Sequence, residues 1–107
     1  MNTELMSKIT SREQLTEALA ENRDLSDADL SGLDLANFRL TGLNLAGANL
    51  SRAQLSDAVL AGANLEGANL DNTQLDGALV AGVNLSRASL RYANLRGVKM
   101  TGTNRAK

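Results

Sequence analysis

The sequence predicts an all-β solenoid closed at its start by a helix, and three observations carry that prediction. An apolar residue recurs at every fifth position from Leu25 to Met100 without a gap. All nine glycines fall in one column, two residues after those apolar centres. The first 22 residues lie outside this pattern and carry helix signals instead.

Residues 1–22 form the first element. Thr10-Ser11-Arg12-Glu13 reads as a capping box, and Leu15, Ala18 and Leu19 follow at helical spacing. A solenoid leaves an unpaired edge at its end, an aggregation hazard that an amphipathic helix removes by covering it. The segment is therefore expected to be a capping helix. A partner-binding helix is the other reading.

Residues 23–102 are the repeat. Sixteen centres are all apolar, Leu except for Val80 and Met100. Two residues before the centres, nine of sixteen positions are Ala; Leu33, Phe38, Leu43, Val83 and Val98 are among the rest. Steps of five on a helix spread Leu around the axis, so no apolar stripe forms. On a continuous strand they flip successive Leu to opposite faces. A short strand followed by a corner satisfies the pattern: in Ala-Asn-Leu the first and third side chains share a face, and two further residues turn the chain. Glycine as the second corner residue suits a type II turn, which needs positive φ there. The chain then winds around its own apolar axis.

Units such as Ala63-Asn64-Leu65-Glu66-Gly67 resemble the pentapeptide-repeat family, whose consensus is close to A-(D/N)-L-x-x. That resemblance covers residues 23–102 and implies a right-handed quadrilateral β-helix with four pentads to a coil. Sixteen pentads then make about four coils, a stack roughly 19 Å tall at strand spacing. Arg23 occupies an inward slot, so the first pentad is expected to be irregular. Arg105 falls on the next central position and ends the repeat, leaving residues 103–107 as a short tail with no second cap. Leu33, Phe38 and Leu43 cluster near the first coil, where larger inward residues widen the core toward a cap.

Composition excludes whole classes of function. There is no Cys, His or Pro. Disulfides, thiolate or histidine metal sites, the commonest general base and the usual nucleophile–base pairs are all ruled out. The acids fall on repeat positions and do not converge. No catalytic residue, metal ligand or cofactor site is expected. With Glu4, Lys8, Arg12, Glu13 and Glu17 breaking up the N-terminus, neither a signal peptide nor a membrane span is read, and a cytoplasmic protein is expected.

If residues twenty apart stack, the outside can be read face by face. Asn44, Asn64 and Asn84 fall in one column and Asn49 and Asn69 in another, expected to form structural ladders. The fourth column runs Arg39, Val59, Leu79, Lys99, beside corners that carry Ala61, Ala81 and the glycines 42, 62, 82 and 102. Val59, Ala61, Leu79 and Ala81 thus make a candidate protein interface, apolar where the repeat wants Asn or Asp. Charge is uneven as well. Residues 81–107 hold Arg87, Arg91, Arg96, Lys99, Arg105 and Lys107 with no acid, whereas residues 21–40 hold five acids against Arg23 and Arg39. Arg87, Arg91, Arg96 and Lys99 form a candidate basic patch for an acidic protein or nucleic acid; a solvated end is the competing reading.

The function expected from these features is a non-enzymatic protein–protein interaction scaffold, with an unidentified protein partner or a second copy meeting the Val59/Leu79 face. The family resemblance implies an alternative, a DNA mimic that modulates a type II topoisomerase, but that role needs a long, dimeric, strongly acidic rod. The acidic first half and the near absence of stacking aromatics argue against nucleic acid.

Overall fold

The computed structural model describes residues 9–21 and 24–99. Arg23, Met100, Gly102, Arg105 and the tail 103–107, singled out above, lie outside the described residues. From 24 to 99 the backbone pairs in parallel with itself at a constant offset of twenty, from Asp24 with Asn44 through Leu79 with Lys99. One coil is therefore four pentads. The strand in each pentad shortens to a single bridged residue, because the corner begins directly after it.

One pentad shows why the arrangement is stable. The amide of Ala63 donates to Leu60 O at 2.9 Å and closes the preceding turn. Asn64 N donates down to Leu43 O at 2.9 Å, and Leu65 N donates up to Asn84 O at 2.8 Å. Gly67 N also donates up, to Ser86 O at 2.9 Å. The remaining amide, Glu66 N, donates to the Asn64 side chain at 3.0 Å. Five amides have five acceptors, as buried backbone requires.

Every corner uses the same turn. All fifteen second-corner residues from Asp27 to Gly97 have positive φ, eight of them glycine at 69–74° and seven not, at 59–63°. Positive φ at the third turn residue alone is the type II pattern. Asp27, Asn37, Arg52, Asp57, Asn72, Arg87 and Tyr92 thus adopt the left-handed region that only the glycines had signalled. At Gly62 a Cβ would meet nothing within 4 Å, so substitution there tests the backbone alone. Gly62→Val is expected to destabilise by about 1–2 kcal/mol, the left-handed cost for an L side chain. Gly62→Asn is expected to cost less, as Asn tolerates this region. Denaturant melts of both variants check the order; equal stability would contradict the turn assignment.

The core is a column of Leu and Ala. Centres from Leu25 to Leu85 are buried, as are the inward Ala side chains from Ala28 to Ala78. Thr73, the polar exception, donates its hydroxyl to Leu70 O at 2.8 Å. Burial fades at the last coil: Leu90, Ala93 and Val98 are only partly covered, and Leu95 is 37% exposed.

At the start, α1 spans Arg12–Glu21. Its cap sits one residue later than the sequence suggested. Gln14 N donates to Ser11 Oγ at 3.1 Å, while the Gln14 side chain accepts from Thr10 N at 2.8 Å. Ser11 is therefore the N-cap residue, since its hydroxyl accepts the amide of Gln14, whose side chain reaches back one residue further to the Thr10 amide. Ile9, Leu15 and Ala18 are buried in the same cluster as the first coil, with Leu19 partly buried against it. Leu33 and Leu43 are buried here too, and Phe38 lies under the Arg12 guanidinium, 5.1 Å from its ring centre.

Candidate interaction surfaces

The offset of twenty sorts the outward side chains into four faces. The first carries Asp24, Asn44, Asn64 and Asn84; the second Asp29, Asn49, Asn69 and Ser89; the third Asp34, Gln54, Gln74 and Asn94. The fourth carries Arg39, Val59, Leu79 and Lys99.

On the first two faces the Asx side chains work mainly within their own pentad. Asn44, Asn49, Asn64, Asn69 and Asn84 each accept, through Oδ1, the amide two residues on, at 2.9–3.2 Å. The expected side-chain ladder has a rung from Asn44 Nδ2 to Asp24 Oδ1, at 3.0 Å. The local bond prevails because the first-corner amide points out of the coil and has no backbone acceptor.

The fourth face lacks this device. Val59 and Leu79 are half-buried and carry no acceptor, so among the described residues the amides of Ala61 and Ala81 receive no side-chain oxygen. Their neighbours Gly42, Gly62 and Gly82 add no side chain at the adjoining corner, although a Cβ there would meet nothing closer than ordinary contact. Val59, Ala61, Leu79 and Ala81 are thus brought together as one flat strip with two outward N–H groups. Sequence reading found the apolar pair but missed the amides. The signal for them was there: an apolar outward residue cannot cap the corner of its own pentad.

The four cations are not brought together. Arg87, Arg91 and Arg96 occupy three different corners of the last coil and Lys99 the fourth face, so they ring the end. Two of them also meet acids of the preceding coil. Arg87 Nη1 lies 2.6 Å from Glu66 Oε2, with 75% and 39% of the two side chains exposed. Arg91 donates its amide to Asp71 Oδ1 at 2.9 Å.

Asp71 also accepts the Ser89 hydroxyl, and that bond, ahead of the nearby Arg91, holds its carboxyl below the ordinary range. Asp24 is lowered in the same way by the Ser26 amide. A carboxyl lowered on folding favours the folded state above its unfolded pKa of about 4, and the contribution is lost as pH falls through the folded value. Acidification is therefore expected to destabilise the stack. Asp71→Asn keeps the acceptor but removes the titration, and should flatten the loss of Tm below about pH 4.

Among the described residues there is no group of three or more His, Cys, Asp or Glu side chains placed to hold a metal, and no helix long and apolar enough to cross a membrane.

Comparison with known proteins agrees with this geometry. The family model for pentapeptide repeats matches residues 24–60, 39–77 and 68–104, with eight copies. The pentapeptide repeat protein Rfr23 of the cyanobacterium Cyanothece 51142 is similar at 36% identity and TM-score 0.75, over 77% of this chain. The chain spans 56% of the length of Rfr23. QnrB1, a plasmid-mediated fluoroquinolone resistance protein, is similar in fold at TM-score 0.65 and 15% identity, over 92% of this chain and 52% of QnrB1. HetL, a pentapeptide repeat protein involved in heterocyst differentiation regulation in Nostoc sp. strain PCC 7120, matches at 28% identity and TM-score 0.47, over 76% of this chain and 48% of HetL. No curated protein sequence matches the chain.

Proposed function

Because this chain belongs to the pentapeptide-repeat family, we propose that it is a non-enzymatic interaction scaffold that binds protein through its fourth face. Membership supports a right-handed quadrilateral β-helix over the repeat; that the repeat runs over 23–102, with segment 1–22 as its cap and 103–107 as a short tail, is part of the proposal.

The observation that carries the functional reading is the break in the Asx pattern. Val59 and Leu79 give up a local hydrogen bond that Asn at the same slot makes elsewhere. A partner that covers the strip would bury both side chains and accept from the Ala61 and Ala81 amides. A second copy of the chain is the simplest such partner, since the centre of the strip carries no charge to oppose it.

The topoisomerase-modulator reading rests on the family resemblance, and the uneven charge of this chain does not match the strongly acidic rod it needs. Nucleic-acid binding is weakened by the separation of Arg87, Arg91, Arg96 and Lys99 around the end.

Val59→Asn/Leu79→Asn tests the proposal by moving two quantities in opposite directions. Each Asn restores an amide cap, so stability should rise by about 0.5–1.5 kcal/mol per site. Association, followed by sedimentation, should be lost. Self-association that survives this pair and Val59→Asp/Leu79→Asp but disappears on Met100→Asp would place the interface elsewhere.

A further inference from the structure

The two ends of the stack are chemically unlike. Inside it, the carbonyls of Asn49, Gln54 and Ser56 accept the amides of Leu30, Leu35 and Asn37 from the coil before, at 2.7, 2.7 and 2.9 Å. The equivalent carbonyls of the first coil belong to Asp29, Asp34 and Ala36, and the N-terminal segment takes all three. Ile9 N donates to Asp29 O at 3.2 Å. Arg12 Nη1 donates to Asp34 O at 3.2 Å and to Ala36 O at 2.9 Å. The segment therefore stands in for a missing coil.

At the other end, on the same two faces, the amides of Leu90, Leu95 and Gly97 meet no acceptor among the described residues. By the offset of twenty they are the donors that would address the next coil's counterparts of Asp29, Asp34 and Ala36. Apolar surface and charge follow the same polarity. Leu95 is 37% exposed where the core ends. Arg91 and Arg96 border this edge, and Asp29 and Asp34 border the first coil.

We propose that the C-terminal edge of the second and third faces is a docking surface for the first coil of a second copy of this chain, and that the segment from Ile9 through α1, by occupying the receiving carbonyls, controls whether copies add head to tail. An extended peptide matches this edge poorly, because each face is one bridged residue wide and a corner follows. Another twenty-residue coil matches both faces and the corner between them. Tail-to-tail pairing would set Arg91, Arg96 and Lys99 against their own copies, whereas head-to-tail pairing brings Arg91 and Arg96 toward Asp29 and Asp34 and leaves Lys99 alone opposite a cation, Arg39. Head-to-tail contacts do not close, so without a block the stack keeps growing. An end left as an open edge is the hazard that caps exist to prevent.

The test uses the full chain with Val59→Asp/Leu79→Asp, so that the lateral face contributes nothing and failure of that reading stays separate. Arg12→Ala/Leu15→Asp in this background frees the first coil. Sedimentation should show a ladder of oligomers, more populated at low salt than at high. Adding Leu95→Asp/Arg96→Glu to the freed chain should return it to monomer. Mixed with the chain that keeps α1 and an intact C-terminal edge, this doubly altered chain should form a one-to-one complex and nothing larger. Oligomers that persist with the C-terminal edge altered, or a freed chain that keeps its β circular dichroism yet stays monomeric, would overturn the proposal. If Leu15→Asp unfolds the protein, Arg12→Ala alone removes two carbonyl bonds and leaves Leu15 buried. It should then dimerise at low salt where the parent does not, and a monomer there would equally overturn the proposal.

Discussion

Leu65→Ala is expected to destabilise the protein by about 2–5 kcal/mol, the range for a buried large-to-small change. Leu65 is 1% exposed, and its column continues through Leu45 on one side and Leu85 on the other. The coils are held by ladder bonds of 2.6–3.2 Å, so they cannot close on the cavity without breaking those bonds. Most of the transfer and cavity cost therefore remains. Leu95→Ala removes the same atoms at the open end, where the side chain is already 37% exposed, and should cost distinctly less. Urea melts of the two variants measure the gradient. Equal losses would mean that the last coil is as well covered as the middle.

Ala63→Leu is expected to cost about 1–3 kcal/mol, toward the upper end. Ala63 is 1% exposed, and the same inward column holds Leu43 below it and Val83 above. A larger side chain would meet both. Its backbone cannot retreat, since Ala63 N bonds Leu60 O at 2.9 Å and Ala63 O accepts Asn84 N at 3.1 Å. Large inward residues are accommodated at Leu33, Phe38 and Leu43, where α1 and the first coil pack and no full coil lies beneath. Thermal melts decide the matter, and an unchanged Tm for Ala63→Leu would remove that column from the interior.

Much of this architecture was legible because the repeat is short and nearly unbroken. Apolar centres every five residues exclude both regular periods, and the glycine column marks the corner that needs positive φ. The helix was legible from the Thr10–Glu13 signal and the apolar spacing, though its cap was placed one residue early, since which hydroxyl caps the first turn depends on which side chains reach back. The apolar pair Val59 and Leu79 stood out against an Asx background. What they leave open did not, because an uncapped amide is a property of backbone direction.

The amino-acid sequence by itself determined which residues point inward and where the chain turns; that residues twenty apart share a face was implied by the family resemblance and is fixed by the pairing of coils. Local rules suffice there, since side-chain alternation and corner φ act within five residues. Only the tertiary structure decided what each outward residue does. The Asn side chains serve their own corners more than their neighbours, Arg87 is committed to Glu66, and the four cations ring the end without forming a patch. It also decided that Ile9 and Arg12 occupy the carbonyls of Asp29, Asp34 and Ala36, while the amides of Leu90, Leu95 and Gly97 meet no acceptor among the described residues. Those outcomes depend on the direction of hydrogen bonds between coils, and a coil acquires that direction only when it stacks.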